Sequence, residues 1–202
     1  MGKVLQFSPK PPVKFDFERV KRRKKDGVGQ RDQLNLFHSS GAQVLRLPTE
    51  ISPFEEALLL DERKDERTEV AYRNAIDQGD SVADAYCNLG ILESKAGRTA
   101  KAFDCFTKSL EHDPRHFESH YNLGNLYLEE GDVRLARMHY ELAAEVEPGF
   151  TNLYFNLGLV HALNDDYPSA LATLTKYKEL APPHEGAKAD ELLSNLQLSL
   201  KH

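Results

Sequence analysis

The hydrophobic positions of this chain fall in blocks that return every 34 residues, and polar positions return between them at the same interval. Counted from Ala83, the units 83–116, 117–150 and 151–184 follow one another without a gap. The seventh position is Leu89, Leu123 or Leu157 and the twenty-fourth is Phe106, Tyr140 or Leu174, large residues that fill the space between helices. The eighth is Gly90, Gly124 or Gly158 and the twentieth Ala102, Ala136 or Ala170, small residues that let two helices approach closely. Pro114, Pro148 and Pro182 stand near the unit ends, where a residue without an N–H stops the second helix. The internal turns read KAGR, EEGD and LNDD, and the glycines of the first two suit a left-handed C-cap. Each unit is therefore predicted to be a helix–turn–helix.

The pattern extends in both directions in weakened form. Residues 49–82 read as a degenerate first unit: Ser52, Pro53 and Glu55 form a capping box with proline at the first helical position, and Tyr72 and Ala75 occupy second-helix positions. Glu55 and Glu56 stand where Leu-Gly is expected, as suits an end unit with one face in water. Within 185–202, Ala189, Leu192, Leu193, Leu196 and Leu200 share one helical face and predict a helix capping the last unit. The predicted body, 49–202, is all-α.

These four marks at this period resemble the tetratricopeptide repeat. The resemblance implies a right-handed superhelical solenoid of antiparallel helix pairs, with first helices lining a concave surface. It puts Asn88, Asn122 and Asn156 in that groove, with Cys87, Tyr121 and Phe155 beside them and Ile91, Asn125, Leu159, Leu128 and Leu163 further along. An asparagine amide offers a donor and an acceptor, which suits an extended backbone. Three in register form a ladder that reads main chain, an arrangement that resembles the one in O-GlcNAc transferase. The alternative is that these asparagines bond neighbouring helices. Repeats that grip the tails of large chaperones carry Lys and Arg on successive first helices. Here Asp84, Glu118 and Asn152 stand at the second position, so a partly apolar or basic partner segment is expected.

Charge divides the chain. The net charge of −6 is the sum of +7 in residues 1–48 and −13 in the remainder. The arm 1–48, with Pro9, Pro11 and Pro12, has no sustained period and reads as largely flexible. Its run Lys21, Arg22, Arg23, Lys24 and Lys25 suits phosphate contacts on nucleic acid, and equally a solvated charge run, an import signal or a tether lying on the acidic body. Gln33, Leu34, Leu36 and Phe37, in QLNLF, are similar to the peptide by which bacterial proteins dock on the sliding clamp, and the same string equally suits an ordinary β-strand or a strap packed on the first repeat. The order of extended segment, half-repeat and repeats also resembles the C-terminal part of bacterial MerR-type regulators. Their helix-turn-helix has no counterpart in residues 1–48, so their mode of DNA recognition does not carry over.

No apolar run reaches the roughly 20 residues of a membrane span. The N-terminus lacks a signal-peptide pattern, and a cytoplasmic protein is expected. Cys87 and Cys105 have no zinc spacing. His112, His116 and His120 are split by Pro114, and no catalytic constellation is found, so neither a metal, a cofactor nor an enzyme is expected. The function expected is a scaffold or adaptor that binds a partner peptide or amphipathic helix. The alternatives are a nucleic-acid-associated protein acting through residues 21–25, or a self-associating homo-oligomeric module.

Overall fold

In the computed structural model of the chain, the residues described are 13–21 and 51–200, the side chains of 199 and 200 excepted. Every regular element in residues 51–200 is helical: α1 (Pro53–Glu62), α2 (Thr68–Asp77), α3 (Val82–Lys95), α4 (Thr99–His112), α5 (Phe117–Glu129), α6 (Val133–Val146), α7 (Thr151–Leu163) and α8 (Tyr167–Leu180). A short α9 (Pro183–Gly186) and one 3-10 turn lead into α10 (Asp190–Leu200). Helices pack in chain order, α1 on α2, α2 on α3 and onward, and α10 closes over α8. The first helices also touch one another, α3 with α5 and α5 with α7, so they form one continuous surface.

The repeat marks perform the packing their chemistry predicts. A Cβ added at Gly124 would lie 2.6 Å from the Tyr140 ring, and one at Gly90 would lie 2.7 Å from Phe106. The small eighth residue is thus what lets the large twenty-fourth sit against the first helix. Gly97 and Gly131 turn the chain at φ +71° and +82°, and Asp165 takes the equivalent place in the third unit at φ 58°. Aspartate tolerates that left-handed well better than most residues with a Cβ. Side-chain caps start several helices: Ser52 Oγ accepts from Glu55 N–H (3.3 Å) and Asp132 from Leu135 N–H (2.9 Å). At the far end Leu192 and Leu196 bury against a cluster containing Tyr177 and Ala189, which shields the last repeat from water.

Two histidines pair behind the first-helix surface. His120 Nε2–H donates to the Pro114 carbonyl (3.1 Å), so its Nδ1 accepts from His139 Nδ1–H, also at 3.1 Å. Burial pushes both imidazoles down in pKa, His139 to about 4. His116 caps α5 and bonds Asp84 (2.8 Å), while His112 stacks on Tyr86. The three histidines singled out by their spacing thus have separate structural partners. No helix among the described residues is long and apolar enough to cross a membrane.

Candidate functional site: an occupied asparagine ladder

The surface formed by α3, α5 and α7 carries Asn88, Asn122 and Asn156, one per first helix and each buried. Against it lies residues 13–21, a stretch of the same chain without helix or strand structure. Each asparagine holds both main-chain polar groups of one residue. Phe15 N–H donates to Asn156 Oδ1 (2.7 Å) and Asn156 Nδ2 donates to the Phe15 carbonyl (3.1 Å). Asn122 pairs in the same way with Glu18, at 2.8 Å for both bonds. Asn88 does so with Val20, at 3.0 Å for both. The segment runs opposite to the order of the repeats. Glu18 and Val20 are two apart, the interval at which an extended chain presents the same edge. Phe15 and Glu18 are three apart, and between them Phe17 N–H turns to the Asp16 carboxylate (2.8 Å).

Side chains of the segment enter separate environments. Phe15 meets Phe155 edge-on (centroids 5.3 Å apart) and Tyr177 (6.0 Å), with the Lys188 ammonium 4.5 Å from its own centroid. Phe17 stacks on Phe106 at 6.2 Å. Val20 is 1% exposed and belongs to the core cluster of Phe54, Ala57 and Tyr72. Lys14 pairs with Glu129 at 3.0 Å, and Arg19 forms an ion pair with Asp61, a carboxylate only 6% exposed. Asp61 also accepts from Tyr72 Oη (3.0 Å), which in turn accepts from Asn88 Nδ2 (3.1 Å). Arg19 and Val20 are therefore linked through Asp61, Tyr72 and Asn88 into one closed network. Burial, then the Asp61 charge, pushes the Tyr72 phenol up, so it stays protonated and donating.

The other residues singled out in the sequence fall behind this front. Leu159 joins Phe155 in the cluster that Phe15 packs against. Tyr121 and Asn125 are fully buried and brace the ladder: Asn156 Nδ2, which has one hydrogen left beyond the Phe15 bond, lies within reach of both Asn125 Oδ1 (2.9 Å) and Tyr121 Oη (3.1 Å), and Asn125 Oδ1 also takes the Tyr140 hydroxyl (2.6 Å). Ile91 is fully buried in the core, and Leu128 packs partly buried near Tyr121 and Tyr140. Cys87 lies under Asn122, whose Nδ2 reaches its sulfur at 3.4 Å, and burial pushes the thiol up and keeps it unreactive. Of the basic run, Lys21 is described and pairs with Glu18 at 3.5 Å; residues 22–25 and 33–37 lie outside the described residues.

The occupant itself was not expected. Residues 13–21 belong to the arm read as flexible, yet they have a defined place. The physical reason is that the body supplies a partner for three of the segment's residues by main chain and for three more by aromatic rings and opposite charge. A signal was present in VKFDF, where Val13, Phe15 and Phe17 alternate with charged residues as a strand does.

Comparison with known proteins places this architecture. Two family models described as tetratricopeptide repeat match residues 81–147 and 121–185. Tetratricopeptide repeat protein 8 of Mus musculus is 29% identical over 105 residues, which is 52% of this chain and 20% of that protein. Anaphase-promoting complex subunit 3 of Schizosaccharomyces pombe is 31% identical over 87 residues, 43% of this chain and 13% of that protein. The chain thus spans a fifth or less of either relative. The first TPR of Spaghetti (RPAP3), solved bound to the HSP90 peptide SRMEEVD, superposes with a TM-score of 0.56 at 22% identity, covering 59% of this chain and 94% of that one. With the 34-residue marks and the stacked helix pairs, these matches establish that residues 81–185 carry tetratricopeptide repeats in an all-helical solenoid.

Proposed function

We propose that this chain is a non-catalytic scaffold whose concave groove holds an extended segment of a protein partner through the asparagine ladder. The observation that supports it is the pairing of three amides, each with both the N–H and the C=O of one residue in an extended chain. Main-chain bonding of this kind supplies affinity for any extended chain, and the flanking pockets select side chains. The solved neighbour with its HSP90 peptide shares the fold, but the second-position residues Asp84, Glu118 and Asn152 of this groove do not suit an acidic tail. Two buried, unlinked thiols accord with a cytoplasmic setting.

The test is a pull-down with the full chain and with its Asn88→Ala, Asn122→Ala, Asn156→Ala form, both checked for unchanged helix content. Partners held by the first and lost by the second support a ladder-dependent groove. An identical set retained by both places binding on another surface and overturns the reading.

A further inference from the structure

The groove's resident is a template for what else it binds. Its pockets are specific in a way that backbone bonding is not. One aromatic site, made by Phe155, Tyr177 and Lys188, takes Phe15; a second, on Phe106, takes Phe17 two residues later. An enclosed site beside α1 and α2 takes Val20, whose branched side chain is 1% exposed. Between them stands Asp61, a buried carboxylate whose charge is met by Arg19. Removing one partner from a buried ion pair leaves an uncompensated charge and is strongly unfavourable. The Arg19 side chain is itself 34% exposed, so a segment without a basic residue at this place leaves the Asp61 charge unpaired and binds more weakly even where its backbone fits. Asp16, between the aromatics, is exposed, and its carboxylate accepts from the Phe17 N–H of its own segment (2.8 Å).

The resident is also covalently attached. Lys21 and Ile51, the last described residue before and the first after residues 22–50, line the same cavity of about 320 Å³ beside α1. The two ends of the connection thus lie together, and docking of residues 13–21 is unimolecular. A ligand tethered at an effective concentration on the order of 1 mM, with an affinity in trans of roughly 10 μM, weakens a competitor about 100-fold.

We infer that the partner of this groove bears an extended segment with aromatic residues at its first and third positions, Arg at its fifth and a branched aliphatic residue at its sixth, and that residues 13–21 are an internal competitor which this segment displaces. The inference rests on the reading of the groove as a peptide site. It makes the scaffold self-masked: a weak or mismatched segment loses to the resident, and a matched one delivered at high local concentration wins.

The experiment uses the full chain in three forms: wild type, an opened form with Phe15→Ala and Phe17→Ala, and a second opened form with Arg19→Glu, which sets like charge against Asp61. Circular dichroism verifies the helix content of each. Fluorescence anisotropy then follows three labelled peptides: VKFDFERVK itself, the same peptide with its Arg changed to Ala, and a scramble of equal composition. The opened forms are expected to bind the first peptide on the order of 100-fold more tightly than wild type. They are expected to bind the Arg-less peptide and the scramble about tenfold more weakly or worse. Equal affinity for wild type and opened forms removes the internal competitor. Equal affinity for native and scrambled peptides removes the pattern while leaving a backbone-reading groove intact. If neither folded opened form binds any of the three, the groove reading itself falls, and this inference with it.

Discussion

Truncation of the central asparagine isolates the energetic role of the ladder. Asn122→Ala deletes two hydrogen bonds to Glu18, both 2.8 Å long, and one weak contact to the Cys87 sulfur. Glu18 is only half-buried, so water reaches its freed N–H and C=O and the full cost of stranding them is not incurred. At about 1 kcal/mol net for each bond, docking of the segment's centre weakens by about 2 kcal/mol, a factor of roughly 30. Asn88 and Asn156 still hold Val20 and Phe15, so the loss is local. Native-state amide exchange reads this directly: the Glu18 amide is expected to exchange about 30-fold faster in the variant. Amides in the middle of α3, α5 and α7 keep their protection. A change at Glu18 below about threefold would show that the bonds contribute little. Faster exchange spread evenly over the helices would mean instead that Asn122 acts by packing the scaffold, which would refute the ladder as a clamp.

Two further outcomes follow from the packing. Gly124→Ala drives a Cβ to within 2.6 Å of the fully buried Tyr140 ring, and a rearrangement costing about 1–3 kcal/mol should lower Tm by roughly 3–10 °C, measured by thermal denaturation; an unchanged Tm would sink the close-approach account. Acid should destabilise the fold through the His120–His139 pair. Burial lowers the folded pKa of His139 from 6.5 to about 4, so between those values the unfolded chain binds the proton and the folded chain does not. Stability is therefore full above pH 6.5, falls as pH drops through that window and levels off below 4, and His139→Phe, which retains a ring against Tyr127, should flatten the decline in urea titrations at pH 7 and pH 5.

Much of this molecule was legible because its information is periodic. Gly90, Gly124 and Gly158 declare a close helix pair three times over, and Asn88, Asn122 and Asn156 declare a polar row on one surface. What was not legible is non-periodic or long-range. Residues 13–21 carry a strand-like alternation for five residues, Val13 to Phe17, and then lose it at the three-residue step to Glu18. Nothing local says that Arg19 will meet Asp61 or that Lys14 will meet Glu129, although the opposed charges of arm and body make such pairs favourable. Repeat position alone puts Tyr121 and Asn125 on the groove, whereas their burial behind Asn156 depends on side chains of two neighbouring helices.

The antiparallel course of the segment sets an order of events at the ribosome. Val20, Glu18 and Phe15 are already outside when the repeats emerge, and their partners Asn88, Asn122 and Asn156 appear in that sequence. At about 5–20 residues per second, the stretch from Asn88 to Asn156 takes roughly 3–14 s to make. Each new repeat can be covered as it folds, zipping from Val20 back toward Phe15, so the asparagine row and aromatic pockets of a nascent chain need never stand open to its neighbours on the polysome.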